Sequence, residues 1–382
     1  MRLMNHNRTS AHILPSQVSI EPVTSGARSW LPHPLDFDWR FTEATTSTLW
    51  RLARELAHPK EGIVLLGVPS MASRAAESPV WDGEILLLDK NAPRDSQSTT
   101  SLEMREFDVL RDPVPEFNTA LIFADPPWYE AESVGFLWSA SALCRPGGYV
   151  VMSIPPIQMR PGILEERERI DRTADTFGLR LLDIVPSAIR YETPFFEANA
   201  MRAAGEPASY NWRCGDLAIY VRKMGALGER PILPIAETWT ERRIENSRIR
   251  VKTTDLRNIG SPVLSSVVLG DILPTVSRRD HRRLQANVWT SGNRIFNCAG
   301  TQTLLRILDV LIEQADPVKV IAQDLGRTLS QPERFRIEQT SFQLLNVVKC
   351  ESDELRAHAD VLRATRKLGP RSYPATALER AG

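Results

Sequence analysis

Short apolar runs alternate with amphipathic stretches over the first half of the chain. The apolar runs predict buried strands at residues 62–67, 84–89, 105–109, 120–124 and 148–154. The stretches between them predict helices at 42–57, with Thr42 as the N-cap, and at 70–77, 133–144 and 161–177. Residues 179–191 and 216–222 predict a closing pair of strands, the last one antiparallel. This alternation is typical of a doubly wound α/β domain, in which a parallel sheet is covered on both faces.

The pattern changes beyond Met224. A linker rich in Gly and Pro at 225–234 precedes Arg-rich stretches, a hairpin at 286–298 with Ser291-Gly292-Asn293 as its turn, and helices at 303–314 and 331–348. We therefore predict a flexible N-terminal arm at 1–35 and an α/β domain at 36–224. Residues 225–382 are expected to form a mixed α/β or α+β module that binds substrate or a partner and is frayed after Arg363.

Composition and charge narrow the class of protein. Of 382 residues, 42% are hydrophobic and 25% are charged, as in ordinary soluble globular proteins. The 47 Lys and Arg balance the 47 Asp and Glu, which excludes a strongly basic coat protein and an acidic disordered tail protein but allows local basic patches. The apolar runs are far shorter than the roughly 20 residues that span a bilayer. Since residues 1–25 also lack the apolar core of a signal peptide, we expect a cytoplasmic protein without membrane contact.

The cysteines and histidines favour neither a metal site nor disulfides. The four cysteines lie far apart, at Cys144, Cys214, Cys298 and Cys350, so no C-x-x-C pair exists. The six histidines are scattered and lack the spacing of metal ligands. We expect reduced thiols and no metal.

The residues with the clearest chemistry are Asp125-Pro126-Pro127-Trp128, directly after the strand at 120–124. Ligands of open α/β sheets bind outside the carboxyl ends of strands. A carboxylate at that place can accept a hydrogen bond from an exocyclic amine. Pro127 holds Pro126 extended, so that the Pro126 carbonyl can accept a second one. Trp128 offers a flat face on which a base can stack. The same residues could also form only a rigid turn.

This D-P-P-W sequence resembles the signature of amino-methyltransferases that use S-adenosylmethionine to modify adenine N6 or cytosine N4. The resemblance implies a Rossmann-like class I methyltransferase sheet of seven strands. It also implies that Asp125 and the Pro126 carbonyl bind the target amine and that Trp128 stacks on the target ring. The expected activity is N-methyl transfer to an exocyclic amine, with adenine N6 of DNA or RNA as the expected target.

Candidate cofactor residues follow the first three strands of the predicted sheet. Asp89 ends its strand where an acidic residue binds the cofactor ribose, although it could instead cap a turn with Asn91. Asp108 lies where such enzymes contact the adenine ring. The loop Gly67-Val68-Pro69-Ser70 has one glycine where cofactor loops have several, and Pro69 lacks an N–H donor. Either Gly67 and Ser70 still contact the cofactor, with Ser70 supplying a hydroxyl, or the domain is a non-catalytic binding subunit.

A second resemblance is to the branched-polyamine synthases, which transfer an aminopropyl group from decarboxylated S-adenosylmethionine on the same fold. Residues 109–129 and Arg190-Tyr191-Glu192 carry it, and Tyr129, Tyr191 and Glu192 are the substrate-binding candidates. That family has acidic residues after the first-strand glycine, where this chain has Val68-Pro69-Ser70. Their absence argues against polyamine chemistry, although Glu192 and Glu197 could partly substitute.

Two Arg clusters in the C-terminal module are candidates for phosphate contacts. They include Arg242 and Arg243 in the first cluster and Arg278 and Arg279 in the second. Such clusters can follow a nucleic-acid backbone, but acidic neighbours could equally make each one a solvated face. A nucleic-acid partner is therefore possible from the sequence, and no oligomeric state is predicted.

Overall fold

The computed structural model describes residues 34–91, 101–208, 210–232, 237–253 and 260–367. Most of the predicted arm, residues 1–33, and the predicted frayed tail beyond residue 367 lie outside this part of the chain. Leu35 was assigned to the flexible arm, but it is fully buried. It belongs to an apolar cluster with Phe196 and Trp289, so the packed structure begins earlier than predicted.

The first half of the chain forms the larger sheet and the helices that cover it. After a 3-10 turn at Asp36–Asp38, the elements are β1 (Arg40–Phe41), α1 (Glu43–Leu56), β2 (Ile63–Leu66), α2 (Pro69–Glu77), β3 (Ile85–Asp89), β4 (Leu102–Glu106), β5 (Thr119–Ala124), α3 (Glu130–Leu143), β6 (Cys144–Ile154), α4 (Ile163–Thr176), β7 (Leu179–Glu192), α5 (Phe195–Ala203) and β8 (Cys214–Arg222).

These strands pair in the order β1-β7-β8-β6-β5-β2-β3-β4. Strands β2 to β6 are parallel to their neighbours among themselves, whereas β8 is antiparallel to both β6 and β7. This is the doubly wound arrangement that the sequence predicts, with the short β1 added at one edge. The predicted class, a doubly wound α/β fold, is confirmed.

Alternate residues of the central strands enter two separate cores. On one face, Val64 and Ile122 pack with the helix residue Leu137 of α3. On the other face, Leu65 and Phe123 pack with α1 and α2. Strand side chains point alternately to opposite faces, so an uninterrupted apolar strand needs cover on both.

Two local signals position the loop after β2. Pro69 is the first residue of α2, where a missing N–H costs nothing. Gly67 has φ of +68°, a left-handed conformation that favours glycine. Its N–H donates to the Leu88 carbonyl, which fixes the loop beside the end of β3.

The second half of the chain forms an α+β module. Its elements are β9 (Trp239–Ile244), β10 (Ser247–Lys252), β11 (Ser265–Ser266), a 3-10 turn at His281–Gln285, β12 (Val288–Thr290), β13 (Ile295–Asn297), α6 (Thr301–Ile312), α7 (Pro317–Asp324) and α8 (Gln331–Lys367). The strands pair antiparallel in the order β11-β13-β12-β10-β9. The predicted hairpin is confirmed as β12 and β13, with Asn293 at φ of +64° in its turn. The domain boundary at 224/225 stays a prediction.

Several elements differ from their predicted bounds or were missed. The strand predicted at 105–109 is β4, which begins at Leu102 and ends at Glu106. This shift places Asp108 in a loop. Strand β1 was missed because it has only two residues, too few for a periodic pattern to be visible. Helix α5, with nine residues, was also not predicted. Helix α8 runs 37 residues, well past the predicted end at residue 348.

Candidate active site

A cleft of about 260 Å³ opens at the carboxyl ends of β2, β3 and β5. Strand order reverses between β2 and β5, and this switch point is where doubly wound sheets bind ligands. The C-terminal module closes one side of the cleft through Glu237, Trp239 and Arg250. Predicted residues that line it are Gly67, Asp89, Asp108, Asp125, Pro126, Pro127, Trp128, Tyr129 and Tyr191.

Asp125 is held at the end of β5 by two hydroxyl groups. The Tyr191 hydroxyl donates to Oδ1 of Asp125 at 2.6 Å, and the Ser153 hydroxyl donates to the same oxygen. Tyr191 lies on β7 and Ser153 on β6, so three strands of the sheet fix one carboxyl group. Both bonds fall on Oδ1, and none of the described residues donates a hydrogen bond to the second oxygen of Asp125, so that oxygen can accept one from a ligand in the cleft.

The protonation of Asp125 is tuned by opposing effects. Removal of the carboxyl from water raises its pKa to about 7. The hydrogen bonds from Ser153 and Tyr191 and the charge of Arg40 lower it, but they do not overcome the desolvation. A carboxyl with a pKa near 7 can exchange a proton near neutral pH, as an acid or base in catalysis must.

The rest of the D-P-P-W sequence is arranged around this carboxyl group. The Pro126 carbonyl accepts no hydrogen bond from the residues that the structure describes. Trp128 lines the cleft but is only 9% exposed. Its indole N–H donates to the Ser153 hydroxyl at 3.3 Å, and its ring packs edge-on against Tyr191. A Cβ on Gly215 would lie 2.6 Å from the Trp128 ring, so only glycine leaves room for the indole.

The cofactor candidates Asp89 and Asp108 already accept hydrogen bonds from other residues of the protein. Oδ1 of Asp89 accepts the Asn91 N–H at 2.7 Å, which is the turn cap that the sequence allowed as an alternative. Asp89 nevertheless lines the cleft, and burial raises the pKa of its carboxyl. Asp108 accepts hydrogen bonds from the Leu110 N–H and from Lys90, both at 3.0 Å. Asp108 therefore shapes its own loop as well as the cleft.

Ser70 does not lie in the cleft, where a cofactor-binding hydroxyl would have to be. Its hydroxyl accepts the N–H of Phe41 on β1 at 2.9 Å, and the residue does not line the cleft. The expectation that Ser70 supplies a hydroxyl to the cofactor is corrected by this geometry. The neighbouring Gly67 does line the cleft.

Replacing Ser70 by alanine is expected to affect stability and not cofactor binding. The variant leaves the Phe41 N–H without its acceptor, which should cost about 1 kcal/mol of unfolding free energy. Thermal denaturation and titration with S-adenosylhomocysteine check this. A tenfold weaker affinity in Ser70→Ala would instead return the hydroxyl to the cofactor site.

The opposite end of the cleft is acidic. Asp36 accepts the Tyr129 hydroxyl at 3.0 Å, and the Arg278 guanidinium lies 3.5 Å from the centre of the Tyr129 ring. Glu132 is buried beside them, and desolvation raises the pKa of its carboxyl to about 7. Glu237 pairs with Lys252 on the C-terminal module.

The remaining substrate candidates lie outside the cleft. Glu192 forms a two-pronged ion pair with Arg366 near the end of α8. Arg242 pairs with Asp309 on α6. Arg243 and Arg279 are exposed to solvent. None of the four arginines proposed for phosphate contacts lines the cleft. Arg278 lies next to it, because its guanidinium packs on the ring of the cleft residue Tyr129.

The structure adds site residues that were not among the predicted site residues. They are Asp36, Trp39, Glu132, Phe136, Arg213, Glu237 and Trp239 in the cleft, with Ser153 behind Asp125. Arg213 packs 3.9 Å from the centre of the Trp39 ring and pairs with Glu197 at 3.0 Å. These side chains come from distant parts of the chain. Only Ser153 had a visible cue, as a polar residue near the end of a buried strand.

Solved structures with a similar fold include the branched-chain polyamine synthase from Thermus thermophilus, bound to N4-aminopropylspermidine and 5'-methylthioadenosine. Its identity to this chain is 14%, with a TM-score of 0.42 over 53% of this chain and 63% of that one. Its C9 mutein gives 16% identity and a TM-score of 0.40, over 53% and 61%. The match therefore spans less than two thirds of the synthase chains.

A methyltransferase from Pyrococcus furiosus is similar over 47% of this chain and 83% of its own, with 16% identity and a TM-score of 0.30. At such identities and TM-scores these likenesses say nothing about substrate. No protein-family model matches the sequence, and no curated protein is significantly similar to it.

Among the residues that the structure describes, no helix is both long and apolar enough to cross a bilayer. Within the same part of the chain, no group of three or more His, Cys, Asp or Glu side chains is arranged to hold a metal ion.

Proposed function

We propose that this protein is an enzyme that transfers the methyl group of S-adenosylmethionine to an exocyclic amine nitrogen. The observation that carries the proposal is the setting of Asp125. Its Oδ1 is held by Tyr191 and Ser153, and both Asp125 and Pro126 line a cleft at the switch point of the sheet. The second carboxyl oxygen of Asp125 and the Pro126 carbonyl are the acceptors that we propose for the amine. Two acceptors next to each other suit the two N–H groups of an amine.

The residues at the ends of β2, β3 and β4 fit S-adenosylmethionine. Asp89 offers a carboxylate oxygen to ribose hydroxyls, beyond the oxygen that caps the Asn91 turn. Phe107, Val109 and Phe136 give the same part of the cleft an apolar wall that suits a purine ring. When bound there, the cofactor would supply an electrophilic methyl group.

The chain's own residues would orient the amine and manage its proton. Hydrogen bonds to Asp125 and to the Pro126 carbonyl would turn the nitrogen lone pair away from the protein and toward the cofactor side of the cleft. With a pKa near 7, the Asp125 carboxylate can take up the proton that the amine loses. The fixed hydroxyls of Tyr191 and Ser153 need no rearrangement during this step.

The target that we propose is a nucleobase amine, with adenine N6 first. The D-P-P-W sequence supports a planar amine, because Trp128 and Tyr191 place aromatic rings beside Asp125. The limited exposure of Trp128 leaves a small part of its ring for contact with a base.

A second candidate is aminopropyl transfer to a polyamine, and the charge of the cleft favours it. Among the described residues, the lining has six acidic side chains and three basic ones: Asp36, Asp89, Asp108, Asp125, Glu132 and Glu237 against Lys90, Arg213 and Arg250. Each of these cations already has a carboxylate partner. Such a lining attracts a positively charged amine more readily than a phosphate backbone.

Cofactor preference separates the two candidates. The purified protein would be titrated with S-adenosylhomocysteine and with 5'-methylthioadenosine, the products of the two reactions. It would then be incubated with labelled S-adenosylmethionine and single-stranded RNA or DNA, or with decarboxylated S-adenosylmethionine and spermidine. Binding of S-adenosylhomocysteine with label in nucleic acid supports methyl transfer. Formation of an aminopropylated spermidine would support aminopropyl transfer instead. If the protein bound neither S-adenosylhomocysteine nor 5'-methylthioadenosine, both candidate functions would be contradicted.

The transfer rate is expected to depend on the ionisation of Asp125. Only the ionised carboxylate of Asp125 can accept the hydrogen bond of the amine and then take up its proton. We therefore expect kcat/KM to increase as the pH rises through about 7 and to level off at higher pH. Tyr191→Phe removes a hydrogen bond that lowers the pKa of Asp125, so the midpoint should move to higher pH. Initial rates across this pH range on the substrate found above provide the measurement.

Tyr220→Phe is the matched control for this pH shift. Tyr220 donates to Asp171 at 2.7 Å, and neither residue lines the cleft. Its profile should keep the original midpoint. An unchanged midpoint in Tyr191→Phe would mean that the titrating group is not Asp125.

A further inference from the structure

Helix α8 carries large apolar side chains on the face turned away from its core. Its inner face packs in the C-terminal module through the buried Ile337 and Leu344. On the outer face, Phe335 is 64% exposed, Phe342 is 67% exposed and Leu345 is 49% exposed. Single exposed apolar residues are ordinary, but two exposed Phe residues on the same face of a helix form an apolar patch of the kind that marks an interaction site.

The outer face follows the spacing of a coiled-coil seam. Phe335, Phe342 and Lys349 are seven residues apart, and Glu338, Leu345 and Ser352 repeat at the same interval three residues later. These are the a and d positions of consecutive heptads. The middle of the seam is apolar, with Phe342 and Leu345. Glu338 lies on its N-terminal side and Lys349 on its C-terminal side.

The charges of Glu338 and Lys349 favour an antiparallel over a parallel partner helix. In an antiparallel pair of α8 helices, each a position faces a d position of the other copy. Centred between residues 343 and 344, this pairing sets Phe342 against Leu345 of the partner subunit and Glu338 against Lys349 of the partner subunit. A parallel pair would instead bring two Glu338 and two Lys349 side chains together, which is destabilising.

We propose that the protein forms a two-fold symmetric homodimer through antiparallel pairing of α8 helices. The seam is self-complementary in shape and charge, as a two-fold interface requires. It is short, so the interface lies at the small end of specific interfaces and its dissociation constant is expected in the micromolar range.

The dimer leaves the candidate active site open. No residue of α8 lines the cleft among the residues that the structure describes. Variants of the seam should therefore leave the affinity for S-adenosylhomocysteine unchanged. This separates the dimer proposal from the proposed function, because either can fail while the other holds.

Sedimentation equilibrium of the full-length protein, up to high micromolar concentrations, tests the proposal. Glu338→Lys and Lys349→Glu alone should each weaken the dimer about tenfold, because each turns two attractive pairs into repulsive ones. The double variant should restore the dissociation constant to within about threefold, because it exchanges the charges and keeps them opposite. Phe342→Glu should give a monomer. Lys319→Glu, an exposed change on α7, is the matched control and should have no effect.

Two results would overturn the proposal. One is a protein that stays monomeric at every concentration; if its melting temperature also drops in Phe342→Glu, the chain covers this face with its own residues. The other is a dimer that Phe342→Glu does not weaken or whose charge swap shows no rescue.

Discussion

Replacing Asp125 by alanine is expected to lower methyl transfer at least about 1,000-fold while the affinity for S-adenosylhomocysteine stays within about twofold of the original. A positioned acid–base group contributes roughly 100- to 10,000-fold, and a fixed acceptor for the reacting group adds to this. In the proposed mechanism Asp125 has both roles, whereas the cofactor candidates Asp89 and Asp108 belong to the ends of other strands. Transfer of label from S-adenosylmethionine and calorimetric titration together give the two numbers.

Asp171→Ala is the matched control for this experiment. Asp171 accepts the Tyr220 hydroxyl much as Asp125 accepts that of Tyr191, but it lies outside the cleft. It should retain activity and lose only stability. Activity like that of the original protein in Asp125→Ala would refute the mechanism, while loss of both activity and S-adenosylhomocysteine binding would mean that Asp125 holds the cofactor or the fold.

Replacing Asp89 by alanine is expected to weaken S-adenosylhomocysteine binding at least about 100-fold. A carboxylate that binds two hydroxyls makes charge-assisted hydrogen bonds worth about 1.5–3 kcal/mol each. The loss should be visible by calorimetry without any substrate, which makes this measurement independent of the amine target. It also decides whether a loop with Val68-Pro69-Ser70 after Gly67 can still serve a cofactor site.

The control for Asp89→Ala must also remove a turn cap. Asp316 accepts the N–H of Val318 two residues on, just as Asp89 accepts that of Asn91, and it lies at the start of α7 away from the cleft. Asp316→Ala should lose stability and keep full affinity. Equal affinities for the Asp89→Ala variant and the original protein would leave Asp89 as a turn cap only.

The alternation of apolar strands and helices was enough to predict the sheet, because buried parallel strands need continuous apolar sequence and cover on both faces. It also placed Asp89 and Asp125 at the carboxyl ends of two predicted strands. Both residues end a parallel strand, and the carboxyl ends of such strands meet at one edge. The turn at Ser291-Gly292-Asn293 was similarly local, since Asn293 tolerates a positive φ.

Tertiary structure alone decided what surrounds these carboxylates. Tyr191 reaches Asp125 from 66 residues away, through an antiparallel pairing of β7 and β8 whose register shifts twice. No local pattern encodes such a shift. The C-terminal module brings Glu237 and Trp239 to the cleft in the same way.

The basic clusters illustrate the same limit for charge. Arg242 and its neighbours form a basic stretch in the sequence, yet Arg242 pairs with Asp309 of α6 and Arg248 with Asp38 of the N-terminal segment. The sequence by itself determined the apolar strands of the larger sheet and placed the D-P-P-W carboxylate at the end of one of them, because these features depend on neighbours along the chain. The strand order that creates the switch point joins distant segments. Which charges are neutralised, which hydroxyls hold Asp125 and which residues close the cleft depend on contacts between distant segments, so only the folded structure decided them.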